Sequence, residues 1–149
     1  MAFASQGKGE PAVAGKRQFP ARSVLYVEDD ADTRELVTFL LGRYDYEVIA
    51  AESYESALMQ AQARPFDLYL IDNWIVGGSG IDLCKKLREL DSLTPILFYT
   101  GAANERDKQQ ALAAGVQGYL VKPVDVDELI ATISALISTA RKAQLAMSA

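Results

Sequence analysis

Three carboxylates stand at the ends of two apolar runs. Glu28 and Asp29 follow Val24-Leu25-Tyr26-Val27, and Asp72 follows Leu68-Tyr69-Leu70-Ile71. Runs this rich in Val, Leu, Ile and Tyr belong to the buried middle of a sheet, so acids at their ends have just left the core. Two such ends side by side gather three negative charges in one crevice, which is costly unless a cation joins them. Oxygen-only ligation suits a hard ion such as Mg²⁺, with Asp29 and Asp72 binding directly and Glu28 directly or through water. Thr100 and Lys122 end two later runs. A lysine and a hydroxyl beside a bound cation face a group that carries negative charge of its own, and phosphate fits. The cation and Lys122 would neutralise phosphoryl oxygens while an Asp carboxylate attacks phosphorus.

The elements that must hold these groups alternate along the chain. Strands are expected near 23–28, 47–51, 67–72, 96–100 and 118–121. A first helix places Leu36, Phe39 and Leu40 on its core face, with Asp30 or Asp32 at its start, where acids satisfy free N–H groups. A second carries Ala57, Leu58 and Ala61 behind the cap Ser53 and ends before Pro65. The loop Val76-Gly77-Gly78-Ser79-Gly80, read as a flexible turn, leads to a third helix with Ile81, Cys84, Leu87 and Arg88 in series. A fourth, near 104–114, stops at Gly115. The last runs from about 125 to 141 and buries Leu129, Ile130, Ile133, Leu136 and Ile137. Five strands separated by helical crossovers form a doubly wound five-stranded parallel sheet in the order 2-1-3-4-5. Ligands of such sheets bind beyond the strand C-termini, where the winding reverses between strands one and three. That rule brings Glu28, Asp29 and Asp72 together, with Thr100 and Lys122 on the same rim.

The bulk numbers narrow the function. The 149 residues hold no histidine, one cysteine and a net charge of −5. Without histidine there is no catalytic triad, no histidine metal site and no phosphohistidine within the chain. The lone Cys84 excludes an internal disulfide and reads as a buried, inert thiol. Residues 1–22 carry Lys8, Lys16, Arg17 and Arg22 against Glu10, a balance of +3 that leaves −8 for the remainder. An acidic body argues against nucleic-acid binding. No apolar stretch is long enough to span a membrane and no signal peptide is evident, which together favour the cytoplasm. The expected division is a flexible extension over 1–22, one domain over 23–142 and a tail over 143–149.

The ordered motifs resemble those of two-component response regulator receiver domains, of the stand-alone chemotaxis-regulator type or excised from a longer regulator. Val24 to Asp30 is similar to the family's first-strand motif. The segment 67–80, with Asp72, Trp74 and Gly77-Gly78-Ser79-Gly80, resembles its phosphoacceptor strand and loop. Thr100-Gly101 and Tyr119-Leu120-Val121-Lys122-Pro123 match the later motifs. The resemblance spans about residues 23–140 and implies the same flavodoxin-like α/β fold. It also implies roles. Asp72 would be the phosphoacceptor, served by a histidine kinase or histidine phosphotransfer protein. Glu28, Asp29, Asp72 and the Trp74 backbone carbonyl would hold Mg²⁺. Lys122 would bond the phosphoryl oxygen, and Thr100 and Tyr119 would act as the switch. The face made by the fourth helix, fifth strand and fifth helix would meet a downstream protein target, with a homodimer left open. The protein would be no enzyme beyond its own phosphorylation and dephosphorylation.

The chain departs from the family's usual pattern in several places. Glu28 stands where Asp is frequent, Val76 where Pro is frequent, and Gly101 where Ala or another small residue is usual. Trp74 and Ala102 occupy positions that tune the phosphoryl lifetime in the family, and Trp74 is expected to shield the group from water. Two other readings compete: an interaction module that does not depend on phosphorylation, and an aspartyl-phosphate phosphatase, for which the chain offers little room for a substrate cap. With no second domain expected after residue 142, either output is expected through contact with another protein or the chain is an excised piece of a longer one.

Overall fold

The computed structural model describes residues 22–101 and 104–148. The expected extension therefore lies outside the described residues, except Arg22, which opens the first strand. Ala102 lies outside them too.

The order is β1 (Arg22–Val27), α1 (Ala31–Gly42), β2 (Tyr46–Ala51), α2 (Tyr54–Ala63), β3 (Leu68–Ile71), β4 (Trp74–Ile75), β5 (Gly78–Ser79), α3 (Gly80–Leu90), β6 (Ile96–Thr100), α4 (Glu105–Ala113), β7 (Gly118–Val121) and α5 (Val126–Ser148). Five strands form one parallel sheet in the order β2-β1-β3-β6-β7. This is the expected winding, with β6 and β7 as its fourth and fifth strands. One face buries Leu25, Val27, Tyr69, Ile71, Ile96 and Phe98 with residues of α2, α3 and α4. The other buries Val24, Tyr26, Leu68, Leu70, Leu97 and Tyr99 with α1 and α5. The alternation along each strand sets which face a residue serves.

Local chemistry starts the helices as expected. Asp30 caps α1 by accepting from the Thr33 amide, and Ser53 caps α2 through a reciprocal box with Ser56. Asn104 caps α4, and Gly115 follows that helix at φ 104°. Ser79 caps α3 as well, a role the sequence did not single out.

Three expectations need correction. The first concerns α1. It buries Val37 and Leu41, while Leu36 and Phe39 are 58% and 61% exposed. Leu36, Val37, Phe39, Leu40 and Leu41 surround much of the helix, so periodicity alone does not choose between two adjacent stripes. The second concerns the glycine loop, which is a small hairpin and not a loose turn. β4 pairs antiparallel with β5, and Val76 bridges Ser53. Gly78 packs so tightly that an added Cβ would lie 2.8 Å from the Tyr54 ring. The third concerns the tail, since α5 continues to Ser148. Lys142, Ala143, Gln144, Leu145, Ala146 and Met147 are all strong helix formers and nothing among them stops the helix.

The core face of α5 and the lone thiol are as expected. Leu129, Ile133 and Ile137 are buried, with Ile130 and Leu136 packed beside them. Cys84 is fully buried, and burial pushes its thiol up to about 11. No helix among the described residues is long and apolar enough to cross a membrane.

Candidate functional site

Strand register brings the acids together. Val27 lies opposite Ile71 in the β1–β3 pairing, so one step further Glu28 lies opposite Asp72. The Asp72 amide donates to the Val27 carbonyl at 3.1 Å and the Glu28 amide to the Ala51 carbonyl at 3.0 Å. Both acids are thus still held by the ladder when they leave the core. Thr100 lies opposite Val121, and the Lys122 amide donates to the Thr100 carbonyl at 2.8 Å. Parity then separates the groups. Glu28, Asp72 and Lys122 continue the stripes of Tyr26, Leu70 and Leu120 toward α1 and α5. Thr100 continues the stripe of Phe98 on the opposite face.

The charges meet closely. Carboxylate oxygens of Glu28, Asp29 and Asp72 lie within 4.8 Å of one another. Glu28 is 2% and Asp72 7% exposed, whereas Asp29 faces solvent. The Lys122 Nζ donates to Glu28 Oε1 at 2.5 Å and to Asp72 Oδ2 at 3.3 Å, and it lies 5.3 Å from the centre of the Tyr99 ring. Burial works against the Lys122 ammonium, yet the bond to Glu28 and the nearby carboxylates outweigh it and hold its pKa above the ordinary lysine value. Burial raises the Glu28 carboxyl, opposed by the bonds from Lys122 and from the Asp30 amide. The Tyr26 hydroxyl also reaches Glu28 Oε1, at 3.4 Å.

One ammonium facing three carboxylates leaves negative charge in the crevice. Asp72 Oδ1 is buried and has no hydrogen-bond partner. A buried carboxylate oxygen without a donor is expensive and marks a place for a ligand. The donors are all oxygens, which fits a hard divalent cation held by few carboxylates.

Around this centre, Thr100 is fully buried at the end of β6. Tyr119 is half-buried and stacks on Phe98, with ring centroids 6.1 Å apart. Trp74 is 65% exposed at the start of β4, two residues beyond Asp72. Gly101 faces open space. Thr100 and Lys122 thus end adjacent strands at the edge where Glu28 and Asp72 leave the core, whereas Tyr119 lies further back along β7 against Phe98, and two further residues adjoin the acids. Gly80 lies against the Asp72 carbonyl, which an added Cβ would approach to 2.5 Å. Arg34 donates from Nη1 to the Glu28 and Asp29 carbonyls at 2.9 and 3.3 Å. A sequence signal for Arg34 existed: a cation in the first turns of a helix opposes the helix dipole and needs another reason to be there.

The chain is similar to known proteins in sequence and in fold. The family profile described as the response regulator receiver domain matches residues 24–134. The phosphate regulon transcriptional regulatory protein PhoB of Escherichia coli is 38% identical over 120 residues, covering 78% of this chain and 52% of PhoB. The two-component response regulator PhoP of Pseudomonas aeruginosa is 39% identical over 114 residues, covering 76% and 51%. The chain thus spans about half the length of these curated relatives. The solved chemotaxis protein CheY4 of Vibrio cholerae has a TM-score of 0.74 at 31% identity, covering 78% of this chain and 98% of that one.

Proposed function

The chain belongs to the response regulator receiver family, and from that premise we propose that it is a phosphorylation-switched signalling receiver whose Asp72 accepts a phosphoryl group from a histidine kinase or histidine phosphotransfer protein. The observation that carries this reading is the buried Asp72 carboxylate, with Oδ2 on Lys122 and Oδ1 unpartnered, inside a cluster of three acids.

The chemistry is a displacement at phosphorus. An Asp72 carboxylate oxygen forms the new P–O bond, the P–N bond to the donor imidazole breaks, and the leaving nitrogen keeps the electron pair and takes a proton. Glu28, Asp29 and Asp72 would hold Mg²⁺, together with the Trp74 backbone carbonyl. Bound there, the ion supplies positive charge to the phosphoryl oxygens and lowers the cost of their approach to a carboxylate. Lys122, which stays protonated at neutral pH, supplies a second cation already oriented by the Glu28 carboxylate. Hydrolysis of the aspartyl phosphate by water resets the protein, and the exposed Trp74 indole shields the group from that water. Nothing beyond its own phosphorylation and dephosphorylation is turned over.

The switch would read the new charge through Thr100 and Tyr119. Thr100 donates its hydroxyl to a phosphoryl oxygen, and Tyr119 moves inward behind it. The surface of α4, β7 and α5 then changes, and a downstream protein target binds there. Phosphorylation shifts an equilibrium between two arrangements of that face.

Incubation with Mg²⁺ and a small phosphodonor tests the reading by intact-mass measurement. One added phosphoryl group, absent in Asp72→Asn and without Mg²⁺, is expected. No Asp72-dependent mass gain would refute the proposal.

A further inference from the structure

Arg34 is not among the groups that meet phosphorus, yet it grips the backbone that carries two of the acids that would hold Mg²⁺. Its Nη1 donates to the carbonyl of Glu28 at 2.9 Å and to that of Asp29 at 3.3 Å, and its Nη2 lies 3.8 Å from Glu52 Oε2. Those two carbonyls belong to the successive peptide planes that flank the Asp29 Cα. Holding both planes fixes φ and ψ of Asp29, and so the direction in which its side chain leaves the backbone. The second plane also carries the Asp30 N–H, which donates to Glu28 Oε2 at 3.2 Å. One guanidinium therefore orients both acids: Asp29 through its own dihedral angles, Glu28 through the amide that receives its carboxylate. Glu52 follows β2, so the clasp also ties the β1–α1 turn to the neighbouring strand end. Arginine suits the task because its planar fork offers several donors in fixed directions, which an ammonium does not.

We infer that Arg34 is a positioning residue that sets the Mg²⁺ affinity of the acidic pair by clamping the Glu28 and Asp29 carbonyls. The inference rests on the reading of the acids as a Mg²⁺ site. Charge and geometry predict opposite effects of removing Arg34, which makes the sign informative. Loss of a nearby cation, acting through charge alone, would tighten Mg²⁺ binding. Loss of the clamp would weaken it, by about 10-fold if Arg34 acts as outer partners of metal ligands usually do.

The test is Mg²⁺ titration of the full chain, followed by fluorescence of Trp74, the one tryptophan, for the parent, Arg34→Ala, Arg34→Lys and Asp29→Asn. Metal-free urea unfolding of each variant runs in parallel. The expected result is a dissociation constant about 10-fold weaker for Arg34→Ala, with Arg34→Lys, which keeps the charge but lacks the fork, in between. Unchanged or tighter binding by a folded Arg34→Ala overturns the inference. If Arg34→Ala does not fold, Arg34→Lys decides: weaker binding supports the clamp and parent-like binding overturns it. A parent titration that shows no site, or one indifferent to Asp29→Asn, brings down the Mg²⁺ reading itself and this inference with it. Parent binding with no response to Arg34 defeats the clamp alone.

Discussion

Glu28 and Lys122 are 94 positions apart in the chain, yet Oε1 and Nζ lie 2.5 Å apart, closer than Lys122 comes to Asp72. The lysine is thus anchored on one acid while it leans toward the other. Glu28 is almost wholly buried and its amide remains in the sheet ladder. Its side chain is 2% exposed against 23% for Lys122, so the carboxylate is the more enclosed half of the pair.

Removal of Lys122 leaves a buried carboxylate with no cation. Lys122→Ala is expected to lower metal-free stability by about 3 kcal/mol, the size seen when one partner of a buried pair is deleted. Mg²⁺ should restore more stability to this variant than to the parent, because the site then lacks its resident positive charge. Urea midpoints with and without Mg²⁺ measure both. Equal Mg²⁺ increments in the two proteins would contradict the account.

Gly80 faces backbone and not a yielding side chain. A Cβ there would lie 2.5 Å from the Asp72 carbonyl oxygen and 2.9 Å from the Asn73 Cα. Gly80→Ala must therefore move the peptide that carries Asp72, at a cost of about 2 kcal/mol. It should also slow phosphorylation of Asp72 at matched fractions of folded protein. Gly42, with open space where its Cβ would stand, is the control. Parent-like phosphorylation by Gly80→Ala would show that Asp72 tolerates the shift.

The orientation of α1 separates neighbouring leucines. Leu41 is fully buried and Leu36 largely exposed. Leu41→Ala is expected to cost about 3 kcal/mol by opening a cavity, and Leu36→Ala no more than about 0.5 kcal/mol. Chemical denaturation of both decides it. Similar losses from the two would mean that the helix is rotated from the position described.

Asp91 stabilises the turn between α3 and β6. Its carboxylate accepts from the Leu93 and Thr94 amides at 2.8 and 3.1 Å, and from the Thr94 hydroxyl. Burial would raise this carboxyl, but these bonds outweigh burial and hold it below its ordinary value of 3.8. A carboxyl whose folded pKa is lowered contributes stability above its unfolded value and loses it as pH falls through the folded one. Asp91→Ala should therefore cost about 1 kcal/mol at neutral pH. Its deficit should shrink as pH drops below that ordinary value. A deficit independent of pH would assign the effect to packing and not to the carboxylate.

The sequence by itself determined the five strands of the main sheet, the helices between them and the charged and hydroxyl residues at the strand ends. Apolar runs ending in Glu28, Asp72, Thr100 and Lys122 mark strands that leave a core, and parallel winding leaves few ways to order them. Asp30, Ser53 and Gly115 act over three or four residues, so their roles are local and readable. What the tertiary structure decided are relationships between segments with no local signature. Two apolar stripes compete along α1, and only its docking on the sheet selects Val37 and Leu41 over Leu36 and Phe39. That Lys122 rests nearer Glu28 than Asp72 depends on register across β1, β3, β6 and β7. So does the side of the sheet each group takes, since a shift of one residue would reverse every side chain. The Arg34 clasp and the tight seat of Gly80 are contacts made on the backbone carbonyls of residues elsewhere in the chain. Such contacts are set by the packing of the whole domain, and no propensity or pattern along the chain encodes them.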